Sequence, residues 1–347
     1  MTRREFLALL GATGGGYLSD ALADLKHPDT APTATTTRAT SGEHRLTGPA
    51  WGKAQVVEVQ SPRLVAGMYV HEKLLREMID LAICHVTGTE NPADAWHTLL
   101  DDGDVIGLKF NSSGAAGIGT TEPFARVLVA SLTRSGWAPE KIVLIETPRV
   151  LALQLGTQLR RDGWQSAVTH FGSGVDELAA VLDQVTAIVN VPFLKANKIA
   201  GMSGCLKNLS HAMIKHPSRF HDNPQANPQH GILKPGRRCA PYIGDIVANT
   251  PIRNKLRLHL VNALRTLREP MFDPTGPAVE SYGAILAGTD PVAVDMVGLE
   301  LLNHLRRAHG SEPLTAPDEP LPLHRAASQA GLGVWQPDAI DHLVLRA

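Results

Sequence analysis

Residues 186–216 read TAIVNVPFLKANKIAGMSGCLKNLSHAMIKH, and the change of character within them decides the fold. Thr186 to Val191 is short, apolar and β-branched, and Pro192 bounds it, so it reads as a buried strand. Lys195, Asn197, Lys198, Ser203, Lys207, Asn208, His211 and His216 follow at once, in a chain with only 19% charged residues. A core strand that empties into a run of donors is what the carboxyl end of a strand looks like in an open α/β sheet, where ligands bind. A helix over 203–214 is expected to carry Lys207 and Asn208.

The same alternation extends on both sides. Strands are expected at Gln55–Val59, Asp104–Phe110, Lys141–Ile145, Ala167–Phe171, Leu256–Leu264, Tyr282–Leu286 and Ile340–Leu345. Helices are expected at Val70–Val86, Pro92–Leu100, up to Ser135, Val150–Asp162, Val175–Leu182, Pro291–His309 and 321–330. Strands and helices in turn, joined by short loops, predict an α/β fold: a mostly parallel sheet covered by helices on both faces. Residues 217–256, rich in Pro, Asn, His and Arg without a period, read as a long irregular insertion.

The chain divides into three parts. Thr2-Arg3-Arg4-Glu5-Phe6-Leu7, a short apolar stretch and Ala21-Leu22-Ala23 read as a twin-arginine-type signal peptide over 1–23, cleaved after Ala23. Residues 24–50, rich in Thr, Ala and Pro, read as a disordered linker. Residues 51–347 form the α/β domain, as one body or two lobes. These readings imply a bacterial protein that is periplasmic or otherwise exported, with the twin-arginine export machinery as a partner.

With 347 residues, 43% of them apolar, the chain can bury a large core. Lys plus Arg (33) balance Asp plus Glu (34), and only 5% of residues are aromatic, so there is no basic stripe with stacking rings and no nucleic-acid partner is expected. No uncharged run approaches the roughly 18 residues of a transmembrane segment. Three cysteines, Cys84, Cys205 and Cys239, without a C-x-x-C, make no disulfide framework and no cysteine-ligated iron–sulfur cluster.

Chemistry concentrates at the strand ends. After Phe110, Gly114, Gly117 and Gly119 precede Thr120 and Thr121, candidate helix caps; the order G-x-x-G-x-G is neither a dinucleotide fingerprint nor a P-loop. Lys109, Asn111, Lys207 and Asn208 are candidate ligand-binding residues, because lysines beside core strands require anions or water. Lys195, Asp290 and Asp295 are the candidate catalytic residues. Asp290-Pro291 is good N-cap chemistry, and Asp295 inside an apolar helix requires a cation, a metal or backbone donors. His211 and His216 are candidate metal ligands, with His221 and His230 nearby, although their five-residue spacing is not that of one helix face. The cofactor's identity stays open, a metal among the alternatives.

Three motifs carry a resemblance. GLKFN (107–111), NVPFLKANKIAGMSGCLKNL (190–209) and AILAGTDPVAVDMVG (284–298) together resemble the uncharacterised family catalogued as domain of unknown function 362. Its pattern has a G-[IL]-K-x-N strand end, a P-K-x-K-x-H segment leading into an L-K-N-L helix, and an A-G-x-D-P-V-A-V-D block. The resemblance spans about residues 50–305 and implies that Lys109, Asn111, Lys195, Lys207, Asn208, Asp290 and Asp295 meet in one cleft. Phe193, Asn197 and Asn262 stand where relatives more often carry lysine, histidine and aspartate. The family supplies no reaction. The expected function is that of an exported α/β enzyme, or enzyme-like protein, acting on a small anionic molecule. The alternative is a periplasmic binding or accessory protein that uses the same basic pocket without catalysis.

Overall fold

The computed structural model describes residues 53–171, 174–220, 240–270 and 278–347. The segments read as an export signal and a linker, together with His221, His230 and Cys239, lie outside them. Besides a small antiparallel pair, Val65–Ala66 with Tyr69–Val70, the strands are β1 (Ala54–Gln60), β2 (Ile106–Lys109), β3 (Ile142–Ile145), β4 (Trp164–Phe171), β5 (Gly174–Ala179), β6 (Ala187–Asn190), β7 (Phe193–Asn197), β8 (Gly201–Ser203), β9 (Leu256–Leu267), β10 (Val279–Gly288) and β11 (Ile340–Arg346). The helices are α1 (Glu72–Thr87), α2 (Pro92–Leu99), α3 (Ala115–Ile118), α4 (Thr121–Arg134), α5 (Arg149–Gln154), α6 (Cys205–Asn208), α7 (Ala240–Ala248), α8 (Thr250–Arg253), α9 (Pro291–Ala308) and α10 (Pro322–Gln329).

Seven strands run in the order β11-β1-β10-β9-β6-β2-β3, and β7 and β8 attach beside β9 to complete a nine-stranded sheet. Its pairings are parallel except where β10 lies between β1 and β9 and where β7 turns back into β8. The α/β fold with a mostly parallel sheet, expected from the alternation, is therefore the observed one.

The sheet is two-faced because its strands are apolar at consecutive positions and successive side chains point to opposite sides. In β3, Ile142 and Leu144 join the core beneath α1, α2 and α4, whereas Val143 and Ile145 join the core beneath α6, α7, α9 and α10. β10 divides in the same way, Ile285 and Ala287 to the first core and Ala284 and Leu286 to the second. On β2, Ile106 and Leu108 fill the first core. Lys109 must then face the second side. That placement founds the site.

Three local expectations fail. Val175–Leu182 is not a helix: β5 pairs antiparallel with β4 in a separate two-stranded sheet, followed by a 3-10 turn at Ala180–Asp183. The helix expected over Val150–Asp162 ends at Gln154, just before Gly156 at φ 65°. The helix expected over 203–214 shrinks to α6: a hairpin of Lys195–Asn197 with Gly201–Ser203 takes its start, and Ala212 at φ 56° falls within its expected end. Asn197 Oδ1 stabilises that turn by accepting from the amides of Ile199 and Ala200 at 2.9 and 3.0 Å. In the described part of 217–256, α7 packs against α10.

Candidate functional site

Register builds the centre of the site. Lys109 on β2 pairs with Asn190 on β6, and Asn190 pairs with His259 on β9, so three fully buried polar side chains line up across neighbouring parallel strands. A row of this kind must be hydrogen-bonded to be tolerated. Its partner is α6. Asn190 Nδ2 donates to the Cys205 carbonyl at 2.9 Å and lies 3.0 Å from His259 Nδ1, while Asn190 Oδ1 accepts from Asn208 Nδ2 at 2.8 Å. Asn208 Nδ2 also donates to the Lys109 carbonyl at 3.0 Å. The Lys109 ammonium donates to the carbonyls of Phe110 and Asn208 at 2.8 and 2.9 Å, and to Asn208 Oδ1 at 3.3 Å.

The other end of α6 rests on Asp295. This carboxylate, 1% exposed on α9, accepts from the Cys205 amide at 2.5 Å and the Leu206 amide at 3.1 Å. Burial raises its pKa to about 7, against the opposing pull of those amides. Gly204 fits here because a Cβ would run into the Asp295 carboxylate. The four residues that carry Lys207 and Asn208 are thus held at both ends by buried polar groups.

Glu146 closes the site from β3. It is the first residue past the strand and sits at φ 61°, a left-handed conformation that a glutamate rarely adopts. Its carboxylate pairs with the Lys109 ammonium and accepts from Ser112 Oγ at 2.8 Å. Burial pushes the carboxyl up, but Lys109 and Ser112 outweigh it and hold Glu146 below the usual range. Burial pulls Lys109 down, with Glu146 opposing.

Two more lysines converge here. Lys195 on β7, 5% exposed, donates to the Ser113 carbonyl, and desolvation lowers its pKa to about 8 despite the charge of Glu146. Lys207, also 5% exposed, lies 3.4 Å from Ser210 Oγ. His211, at the exposed edge, is held near 4 by loss of solvent on its packed side and then by Lys207, with Lys109 and Lys195 adding to it and Glu146 opposing. Lys109, Lys195, Lys207 and the Glu146 carboxylate thus all lie within electrostatic reach of His211.

A cleft of about 840 Å³ opens beside the cluster, meeting it at Ser112, Glu146 and Ala212. Ala212, like Glu146, sits in the left-handed region, at φ 56°.

The structure brings Lys109, Lys195, Lys207, Asn208 and His211 together, and Asn111, 9% exposed, stands two residues past the end of β2. Asp295 touches α6 from behind and does not line the cleft. Asp290 caps α9, accepting from the amides of Val292, Ala293 and Val334 at 2.8 to 2.9 Å. Both carboxylates are engaged by backbone donors. His216 pairs with Asp176 at 3.0 Å. Among the described residues, no group of three or more His, Cys, Asp or Glu could hold a metal ion. The glycine loop is turn chemistry: Gly114 and Gly119, at φ 82° and 73°, bracket α3. Cys84 and Cys205 are free thiols.

The sequence reading missed Glu146, Asn190 and His259. For Glu146 a signal existed: it heads Glu146-Thr147-Pro148 at the end of a third strand in the same parallel set.

Residues 157–300 match the model of a family described as Domain of unknown function (DUF362). This segment holds Lys195, Lys207, Asn208, Asp290 and Asp295, and leaves GLKFN and Glu146 outside. A comparison with curated proteins finds no match.

Proposed function

We propose that this chain is an exported α/β enzyme or enzyme-like protein that takes a small anionic substrate at the lysine cluster beside Glu146. One observation carries the reading: Lys109, Lys195 and Lys207, all buried, cluster with the Glu146 carboxylate around His211, beside the carboxyl ends of the parallel strands β2 and β3. Lys109 is committed to Glu146 and to α6; Lys195, which donates to the Ser113 carbonyl, and Lys207, beside Ser210, are the other two charges of the cluster and are assigned to the anion. Asn208, with both ends of its amide engaged by the buried row, holds α6 and hence Lys207 in place. Lys195, its pKa lowered to about 8, is the lysine of the cluster that can exchange a proton near neutral pH. Asp295 enters as a positioning residue through the α6 amides. The N-terminal twin arginine supports export. Sulfate titrated into the wild-type chain and into Lys195→Ala tests the reading: binding that the substitution weakens is expected, and binding it leaves unchanged would refute it.

A further inference from the structure

The cleft reaches the lysine cluster at a carboxylate: Glu146 and Ser112 line it, and none of the three lysines does. Its volume of about 840 Å³ lies in the range of roughly 300–1,000 Å³ that holds whole organic ligands. Val150, Leu151 and Trp164 give it an apolar wall, on which Val150 is 54% and Trp164 41% exposed. Three non-glycine residues among the described ones hold a left-handed backbone, and two of them, Glu146 and Ala212, line this cleft. Such conformations cluster at ligand sites, where the surrounding structure holds them.

The charges decide what Glu146 can receive. Its side chain is 13% exposed; Oε2 accepts from Lys109 and Oε1 from Ser112 Oγ at 2.8 Å, which leaves about two of the four acceptor sites of a carboxylate. An anion placed there would meet the carboxylate. An ammonium would meet Lys109, with Lys195 also within electrostatic reach of Glu146. An uncharged donor meets neither objection. The other charges lining the cleft stand toward water: Arg160 pairs with Asp162 at 3.0 Å, Glu122 pairs with Arg126, and Arg161 is exposed. We infer that the cleft takes an uncharged, hydroxyl-bearing organic molecule whose O–H donates to Glu146 and whose apolar body lies against Val150, Leu151 and Trp164. This ligand is distinct from the anion assigned to Lys195 and Lys207, and its site does not depend on that assignment.

Three probes on one naphthyl body test it: naphthalene-2-methanol, which carries the donor, its methyl ether, which lacks it, and the corresponding naphthylmethylammonium. Each is titrated calorimetrically into the full chain, into Trp164→Ala and into Glu146→Gln, with circular dichroism to check folding. The alcohol is expected to bind about tenfold or more tighter than the ether, which cannot donate to the charged acceptor. It should also bind tighter than the ammonium. Trp164→Ala should weaken alcohol and ether alike by several-fold, through lost apolar contact. Glu146→Gln should bring the alcohol close to the ether; if that variant does not fold, the wild-type comparison and Trp164→Ala decide. Equal affinity of alcohol and ether would overturn the assignment to Glu146. An ammonium that binds tightest would overturn the uncharged class. Alcohol binding indifferent to Trp164→Ala would put the body elsewhere, and binding by none of the three would remove the inference whole. Sulfate titration reads the anion site separately, so either reading can fall without the other.

Discussion

Glu146→Gln removes one charge and little else. The side chain keeps its size, and the backbone keeps its left-handed φ of 61°, so the change reads out the ion pair rather than the strain. What remains is the Lys109 ammonium, 0% exposed, with carbonyl and amide oxygens for partners but no counter-charge. Removing one partner of a buried pair typically costs about 3–5 kcal/mol. At about 2 °C per kcal/mol for a chain of this size, the melting temperature should fall by roughly 6–10 °C. The loss should also depend on pH with a defined sign. Burial already lowers the Lys109 pKa in the folded state, and without Glu146 it falls further. Between that lowered pKa and the unfolded value of about 10.4, the unfolded chain binds the extra proton, so stability rises with pH and the variant recovers part of its deficit in alkaline buffer. Adding Lys109→Met should cost less than the sum of the two single changes, because the orphaned charge is gone although the Phe110 and Asn208 carbonyls lose a donor. Thermal and urea unfolding followed by circular dichroism at several pH values measures all three variants. A Glu146→Gln protein within about 0.5 kcal/mol of wild type at every pH would refute the reasoning, since surface pairs behave that way.

Asp295→Asn should cost about 1–3 kcal/mol, because an amide can accept from only one of the two α6 N–H groups with its oxygen. The Asp295 pKa is raised to about 7, so between about 4 and 7 the folded state holds the extra proton and wild-type stability falls as pH rises; unfolding titrations should show that slope missing in the variant. Arg3→Lys with Arg4→Lys should leave the precursor in the cytoplasm, read by fractionation and N-terminal sequencing, whereas a mature N-terminus after Ala23 at normal yield would remove the twin-arginine assignment.

Much of this was legible before any coordinates. Val143 and Ile188 belong to runs whose apolar, β-branched character suits strands buried on both faces, and Asp290-Pro291 announced the start of α9. Segments whose state depends on a partner were less legible. Gly174–Ala179 alternates weakly and becomes a strand only by pairing with β4, and Lys195–Ser203 needs β9 beside it before its hairpin is fixed. The site divides along the same line. Lys195 and Lys207 stood out as charges beside a core strand. Asn190, His259 and Glu146 are ordinary residues in sequence and gain meaning only from registers that join positions 37 to 81 residues apart. Asp295 looked like chemistry because a carboxylate inside an apolar helix needs a donor; the donors are the amides of α6.

The most direct test of the central claim is sulfate binding by the full chain, measured calorimetrically for wild type, Lys195→Ala, Lys207→Ala and the double variant. A charge-assisted hydrogen bond contributes about 1.5–3 kcal/mol, so each single change should weaken binding by about ten- to a hundredfold. The double variant should lose less than the sum, because both lysines hold one ion. The charge of sulfate is fixed near neutral pH, so wild-type affinity should fall as pH rises through about 8, where Lys195 gives up its proton. Unchanged affinity in both single variants would contradict the account and leave these lysines without a shared anion.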